Sequence, residues 1–273
     1  VKGMDAAGTP AEPDDVGRLR YAWESRARLV GTDLAAVLYR GFPPLANEYL
    51  HAWHQAVVSR CMLAHLPASG RLLDLGCGYG RIGEHVRTQR PDLELVGLDL
   101  APTFCRLFSD RLAAPAVCGD LGQAPFRPGS FDGVLAVTAL MYVPPAQRAQ
   151  VLGNWLSLLR PGGRLLLVEP GEEFLRVARR LGAPASPTGG HGFERSELLH
   201  LLQELMPDAR VRCGGVPGFS LAVPVMLACR RLPRVLGLLL RMTAALDRHA
   251  EGWTRLSLQR WTLVLLPDHG SRA

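Results

Sequence analysis

Apolar residues recur at helical spacing over Leu19–Leu29 and Leu34–Leu38. The break Gly41-Phe42-Pro43-Pro44 separates these from a third helical stretch, Leu45–Leu66, rich in aromatics and histidines. From Arg71 the period changes. Short strands are predicted at Arg71–Leu75, Leu93–Leu98, Ala116–Cys118, Phe131–Val137 and Arg164–Val168, with helices at Arg81–Arg90, Thr103–Leu112 and Gln147–Leu159 between them. The turn Arg160-Pro161-Gly162-Gly163 is expected to stop the last of these helices. Such an alternation calls for a mostly parallel, doubly wound α/β sheet covered on both faces. The first three helical stretches are expected to lie outside the sheet core, as a cap.

A loop over Gly182–Gly192, a helix over Ser196–Leu205 and a sixth strand over Arg210–Gly214 follow. Two segments compete for a seventh strand, Leu221–Cys229 and Leu258–Leu266. The second is favoured: Val235–His249 has helical periodicity, whereas Gln259–Leu265 has the β-branched and aromatic character of a strand. Residues 216–255 then form an insertion before the last strand, suited to an acceptor pocket or a subunit contact.

With 273 residues, 48% hydrophobic and 21% charged, the chain has material for one substantial core. Residues 1–66 read as a lead-in and helical cap, and 67–267 as the main domain. Val1–Val16 is polar, small and acidic, which reads as a loose lead-in rather than a signal peptide and predicts a cytoplasmic protein. Leu221–Cys229 is apolar but holds Pro224 and is followed by Arg230, Arg231 and Arg234, so no transmembrane segment is expected. A peripheral membrane contact and a homodimer stay open. The six cysteines lack metal-ligand spacing and read as small buried residues, with neither disulfides nor zinc. The net charge of +6 is carried mostly by scattered arginines, with no aromatic reading surface beside them, so nucleic acid is not an expected partner.

The candidate chemistry starts at Leu72-Leu73-Asp74-Leu75-Gly76-Cys77-Gly78-Tyr79-Gly80, three alternating glycines between a strand and a helix. Glycines let the backbone approach a ligand closely, and the helix N-terminus adds unpaired N–H groups for an anion. Asp99, ending the next strand, is placed to accept from ribose hydroxyls. That much also suits NAD. The spacing is GxGxG rather than GxGxxG, however, and Asp74 precedes it, ready for an ammonium that NAD lacks and methionine has.

In LLDLGCGYG, VGLDLAP, CGDLGQAPF, FDGVLAVTALMYV and LRPGGRLLLVEP, taken in that order over 66–170 and more loosely to Pro267, the chain resembles the class I S-adenosylmethionine-dependent methyltransferases. The resemblance implies a Rossmann-like sheet of order 3-2-1-4-5-7-6 with strand seven antiparallel. It implies S-adenosyl-L-methionine as cofactor and S-adenosyl-L-homocysteine as product. By it, Asp74, Gly76, Gly78 and Gly80 hold the methionine end and Asp99 the ribose. Leu100 packs on the adenine, Asp120 accepts from the adenine amino group beside the Leu121 backbone, and Ala136 to Thr138 line the site. Two departures stand out: Leu121 replaces the usual small residue, and no histidine stands near Tyr142.

Methyl transfer from a sulfonium needs alignment, exclusion of water and, for a poor nucleophile, a proton acceptor; it needs no metal. Candidate bases are His191 in Gly189-Gly190-His191-Gly192, Tyr142 after the fourth strand, and the helical pair His51 and His54. Tyr21 and Tyr39 could contact cofactor or acceptor from the cap, where packing explains them equally well. Glu169 and Glu172 read as surface charge, Trp155 as core, and Trp253 and Trp261 as core or interface. The expected activity is O- or N-methylation of a small acceptor, hydrophobic ones included. The alternatives are a non-methylating or non-catalytic binder of the same cofactor, an NAD-dependent dehydrogenase, or a nucleic-acid methyltransferase.

Overall fold

In the computed structural model, which describes residues 15–39, 42–180, 190–252 and 254–268, strand β1 (Arg71–Leu75) opens the sheet. It is followed by α3 (Arg81–Gln89), β2 (Glu94–Asp99), α4 (Pro102–Leu112), β3 (Ala116–Cys118) and β4 (Phe131–Val137). Then come α5 (Arg148–Ser157), β5 (Leu159–Pro170), α6 (Glu172–Arg180), α7 (Arg195–Leu205) and β6 (Arg210–Gly215). The hairpin of α8 (Pro217–Ala228) and α9 (Pro233–His249) precedes β7 (Gln259–Leu265). Before the sheet lie α1 (Asp15–Val30) and α2 (Pro44–Cys61). The strand order is β3-β2-β1-β4-β5-β7-β6, with β7 antiparallel to both neighbours.

Period-two alternation sorts the strand residues between two cores. Leu73, Val134, Leu165 and Leu167 face a layer with Trp155 of α5 and Leu202 of α7. Leu72, Leu135, Leu166 and Leu263 face Ile82 and Val86 of α3 and Phe108 of α4. Val57, Val58 and Cys61 of α2 belong to this second core, so the later half of α2 is sheet core and not only cap. A helical pattern shows that a face is apolar but not which partner buries it.

Of the two segments that competed for the seventh strand, the favoured one forms β7, while Leu221–Cys229 lies mostly within α8. Two other features depart from the pattern. The strand β5 begins at Leu159: Leu159 pairs with Phe131 and Arg164 with Gly133, so the expected turn at 160–163 bulges out of a continuing strand. Helix α6 had no counterpart in the pattern, although Glu172 and Glu173 at its start and Arg179 and Arg180 at its end complement the helix dipole. Most of the loop expected over Gly182–Gly192, and Trp253, lie outside the described residues. Trp155 is core, as expected.

Candidate active site

The carboxyl ends of β1, β2 and β4 meet in a cleft roofed by α1, with about 1110 Å³ of empty space, part of it open to solvent. Such a crevice at the strand ends is where open α/β sheets bind ligands. The turn after β1 is pinned to the end of β2, because Gly76 N and Cys77 N both donate to Leu98 O, at 2.8 and 3.1 Å. Gly76 has φ +69°, and a Cβ there would stand 2.7 Å from Ala139 Cβ, so the position admits only glycine without rearrangement. Asp99 locks the same turn: Oδ2 accepts from Gly78 N at 2.8 Å and Oδ1 from Ala101 N at 2.9 Å. Burial pushes its carboxyl up to about 6, against these backbone bonds.

Asp74, Gly76, Gly78, Asp99, Leu100, Asp120, Leu121 and Thr138 all line the cleft. Two expected members do not. Ala136 is fully buried inside β4. Gly80 caps α3 at φ +87°, where a Cβ would strike Leu112 Cδ1 at 2.8 Å; helix packing, not a ligand, demands that glycine. Asp120 accepts from Gly122 N at 2.9 Å through Oδ1, and Trp155 Nε1 holds Leu121 O at 2.9 Å, which fixes the wall beside them.

The electrostatics around Asp74 are uneven. It is 3% exposed, and its Oδ2 is buried with no hydrogen-bond partner. Burial raises its carboxyl to about 7, opposed by the nearby Arg81 cation. Arg81, which no motif singles out, also lines the cleft and is itself buried. Its Nη1 donates to Nδ1 of His51 at 3.2 Å and of His54 at 3.1 Å. His54 is fully buried, bonded on its other side to Gln259 Oε1, and neither histidine lines the cleft. As bases they are therefore misplaced: their Nδ1 lone pairs are spent on Arg81, and their service is to position that guanidinium.

Beyond β4 the chain turns through Thr138, a non-glycine residue at φ +56°. Glu169 makes that strained turn tolerable. It is buried, and accepts from the N–H groups of Ala139, Leu140 and Met141 at 3.1, 2.8 and 3.2 Å. Burial pushes its carboxyl up to about 8. The surface-charge reading of Glu169 is thus overturned, because only the parallel pairing of β4 with β5 brings those donors to it. Tyr142, at the end of the turn, lines the cleft edge-on to Trp23 of α1, with ring centroids 5.2 Å apart.

His191 is held through its main chain, with N donating to Met141 O at 2.8 Å and O accepting from Arg148 Nη2 at 2.9 Å. Its imidazole is exposed and does not line the cleft, which removes the geometric basis for its expected role as base. Tyr21 is exposed, while Tyr39 packs beside the α8–α9 cluster. The cap is clamped by Glu24 of α1, which accepts from Thr103 N at 3.0 Å and Thr103 Oγ1 at 2.7 Å. Among the described residues no three His, Cys, Asp or Glu side chains converge as metal ligands.

Residues 72–163 match the family model for a methyltransferase domain. Over 220 residues the chain is 30% identical to the malonyl-[acyl-carrier protein] O-methyltransferase of Laribacter hongkongensis, covering 76% of this chain and 67% of that one. The chain belongs to the class I S-adenosylmethionine-dependent methyltransferases. A shorter match, 37% over 132 residues, joins this methyltransferase to the mouse 18S rRNA (guanine-N(7))-methyltransferase, covering 44% of this chain and 46% of that one. That alignment thus spans under half of the mouse protein. Among solved structures, the [4+2]-cyclase SpnF shares the fold with a TM-score of 0.61 at 18% identity, over 98% of this chain and 100% of that one.

S-adenosylmethionine is the cofactor of this methyltransferase, and the cleft suits it. The unpartnered Oδ2 of Asp74 lacks only a donor such as an ammonium. A guest with no donor there would leave a buried acceptor unsatisfied.

Proposed function

We propose that this chain transfers a methyl group to oxygen or nitrogen of a small metabolite, with the sheet domain from residue 67 onward binding the cofactor and helix α1 closing over it. The observation that carries this reading is the orphan Asp74 Oδ2 inside a cleft that also presents Asp99 and Asp120. Asp74 accepts from the cofactor's ammonium, and Arg81, steadied by His51 and His54, stands beside it for the carboxylate. The Gly76–Gly78 backbone passes under the methionine chain. Asp99 uses its remaining lone pairs for ribose hydroxyls, and Asp120 accepts from the adenine amino group between Leu100 and Leu121.

Bound there, S-adenosylmethionine supplies a methyl already activated on a sulfonium. Trp23 and Tyr142 then limit what reaches it: an aromatic pair lining the cleft excludes water from a small acceptor seated against it. Tyr142 is the titratable candidate for positioning the acceptor or receiving its proton, since it is the one member of the expected set of bases that lines the cleft. The Trp23–Tyr142 aromatic wall supports a small acceptor over the RNA base named for the mouse relative.

Titration calorimetry with S-adenosylmethionine and with NAD separates this reading from a dehydrogenase. Tight NAD binding without a response to S-adenosylmethionine would sink it. Turnover of an RNA oligonucleotide but of no small acceptor would replace the acceptor class while leaving the cofactor site intact.

A further inference from the structure

The hairpin of α8 and α9 carries more apolar surface than the core uses. Its inner side packs Phe219, Val223, Met226, Leu236 and Leu240 against Leu50 of α2. Its outer side exposes Leu221, Val225, Val235, Leu238, Met242 and Leu246, with Leu238 at 55% and Met242 at 64%. Among the described residues, every large exposed hydrophobic belongs to this hairpin except Val16, Tyr21 and Leu29. A concentration of this kind marks an interaction surface.

The charge pattern says which. Arg234, Arg241 and Arg248 recur every seven residues and so share one line along α9, next to the line of Leu238 and Met242. Arg230 and Arg231 sit, exposed, at the hairpin tip beside Leu232. The only acid in 217–249 is Asp247. It is buried and consumed inside the hairpin, accepting from Gly218 N at 2.6 Å, Phe219 N at 3.1 Å and Tyr49 Oη at 2.7 Å. The outer side therefore presents leucines and arginines with no exposed carboxylate of its own.

We propose that this hairpin docks on the surface of an anionic lipid bilayer. The apolar line enters the headgroup boundary while the flanking arginines meet lipid phosphates, as amphipathic basic helices do. Long arginine stems reach along apolar surface to the polar layer. A second copy of the chain is a poor occupant, because two-fold pairing would bring arginine against arginine. Among the described residues no helix is long and apolar enough to cross a membrane, so the contact lies in the surface plane. Among the described residues none of 216–255 lines the cofactor cleft, so docking leaves that cleft accessible.

The test is co-sedimentation of the full chain with vesicles of phosphatidylcholine alone or with about 30% phosphatidylglycerol. Binding is expected to the anionic vesicles only, and to weaken as salt is raised to about 0.5 M. Removing arginines in R230Q/R231Q/R234Q should lower partitioning about five-fold per residue. The variant L238S/M242S should lose binding while keeping its circular dichroism and its affinity for S-adenosylmethionine. Retained cofactor affinity separates a failure of docking from a failure of the cleft assignment. No binding to anionic vesicles overturns the proposal, as does equal binding by both variants. A dimer abolished by L238S/M242S, without vesicle binding, overturns it in favour of self-association.

Discussion

Nη1 of Arg81 lies 3.1 Å from Nδ1 of His54, and because a guanidinium only donates, this histidine carries its single proton on Nε2, toward Gln259 Oε1. A pair that looked like candidate bases is thereby a brace behind the cofactor cleft.

That brace predicts a pH dependence of stability. Burial, and then the Arg81 cation, hold His54 well below its ordinary 6.5 and His51 at about 4. The unfolded chain therefore takes up protons first as pH falls. Stability from this pair is full above about pH 6.5 and is lost as pH falls toward 4. Asp74, Asp99 and Glu169, with raised carboxyls, titrate in the opposite sense over the same window, so the comparison isolates His54: from about pH 6.5 to 4, His54→Gln should lose less stability, or gain more, than wild type in thermal melts. The same slope in both proteins would reject the brace.

Asp74 has the opposite sign. Its carboxyl rises from 3.8 unfolded to about 7 folded, so its contribution to stability is lost as pH rises through that range. Asp74→Asn removes the cost of burying the charge. At pH 8 the cofactor-free variant should melt no lower than wild type, while affinity for S-adenosylmethionine falls by roughly 10- to 100-fold, or about 1.5–3 kcal/mol. Calorimetry showing unchanged affinity would remove Asp74 from the methionine end.

Glu169 should act through the turn it holds. In Glu169→Gln the amide sets an NH₂ where an acceptor is needed, against at least one of the N–H groups of residues 139–141. A loss of about 1–3 kcal/mol in stability is expected, with weaker cofactor binding because Thr138 shifts. Denaturant unfolding and calorimetry together check this. A variant as stable as wild type would show that the turn at φ +56° needs no such support.

Two glycines separate strain from steric closure. Gly129 has φ +64° with nothing within 4 Å of where a Cβ would stand, so Gly129→Ala should cost only about 1–2 kcal/mol and leave cofactor affinity alone. Gly76→Ala adds a clash with Ala139 to a similar strain, and should cost more and abolish binding. Equal effects from the two on denaturant midpoint and affinity would refute the close approach at Gly76.

Much of the fold was legible because its signals are local. The exact bounds of β1, β3 and β4 followed from short apolar runs between turns, and the strand order followed from the family resemblance. Residue roles that depend on a distant partner were not legible. Arg81 looked like an ordinary helix start until α2 placed two histidines against it, and Glu169 looked like surface until β5 lay beside β4. Trp23 had no motif around it, yet α1 brings it over the cleft.

The alternating glycines and Asp74, adjacent along the chain, determine by themselves where a ligand meets the backbone and what charge awaits it. Which groups surround that ligand was decided only by tertiary structure, since burial, a held tautomer and a strained turn all arise from contacts between segments far apart in sequence. The glycine motif kept its place but lost Gly80 to helix packing, and of the four candidate bases only Tyr142 lines the cleft.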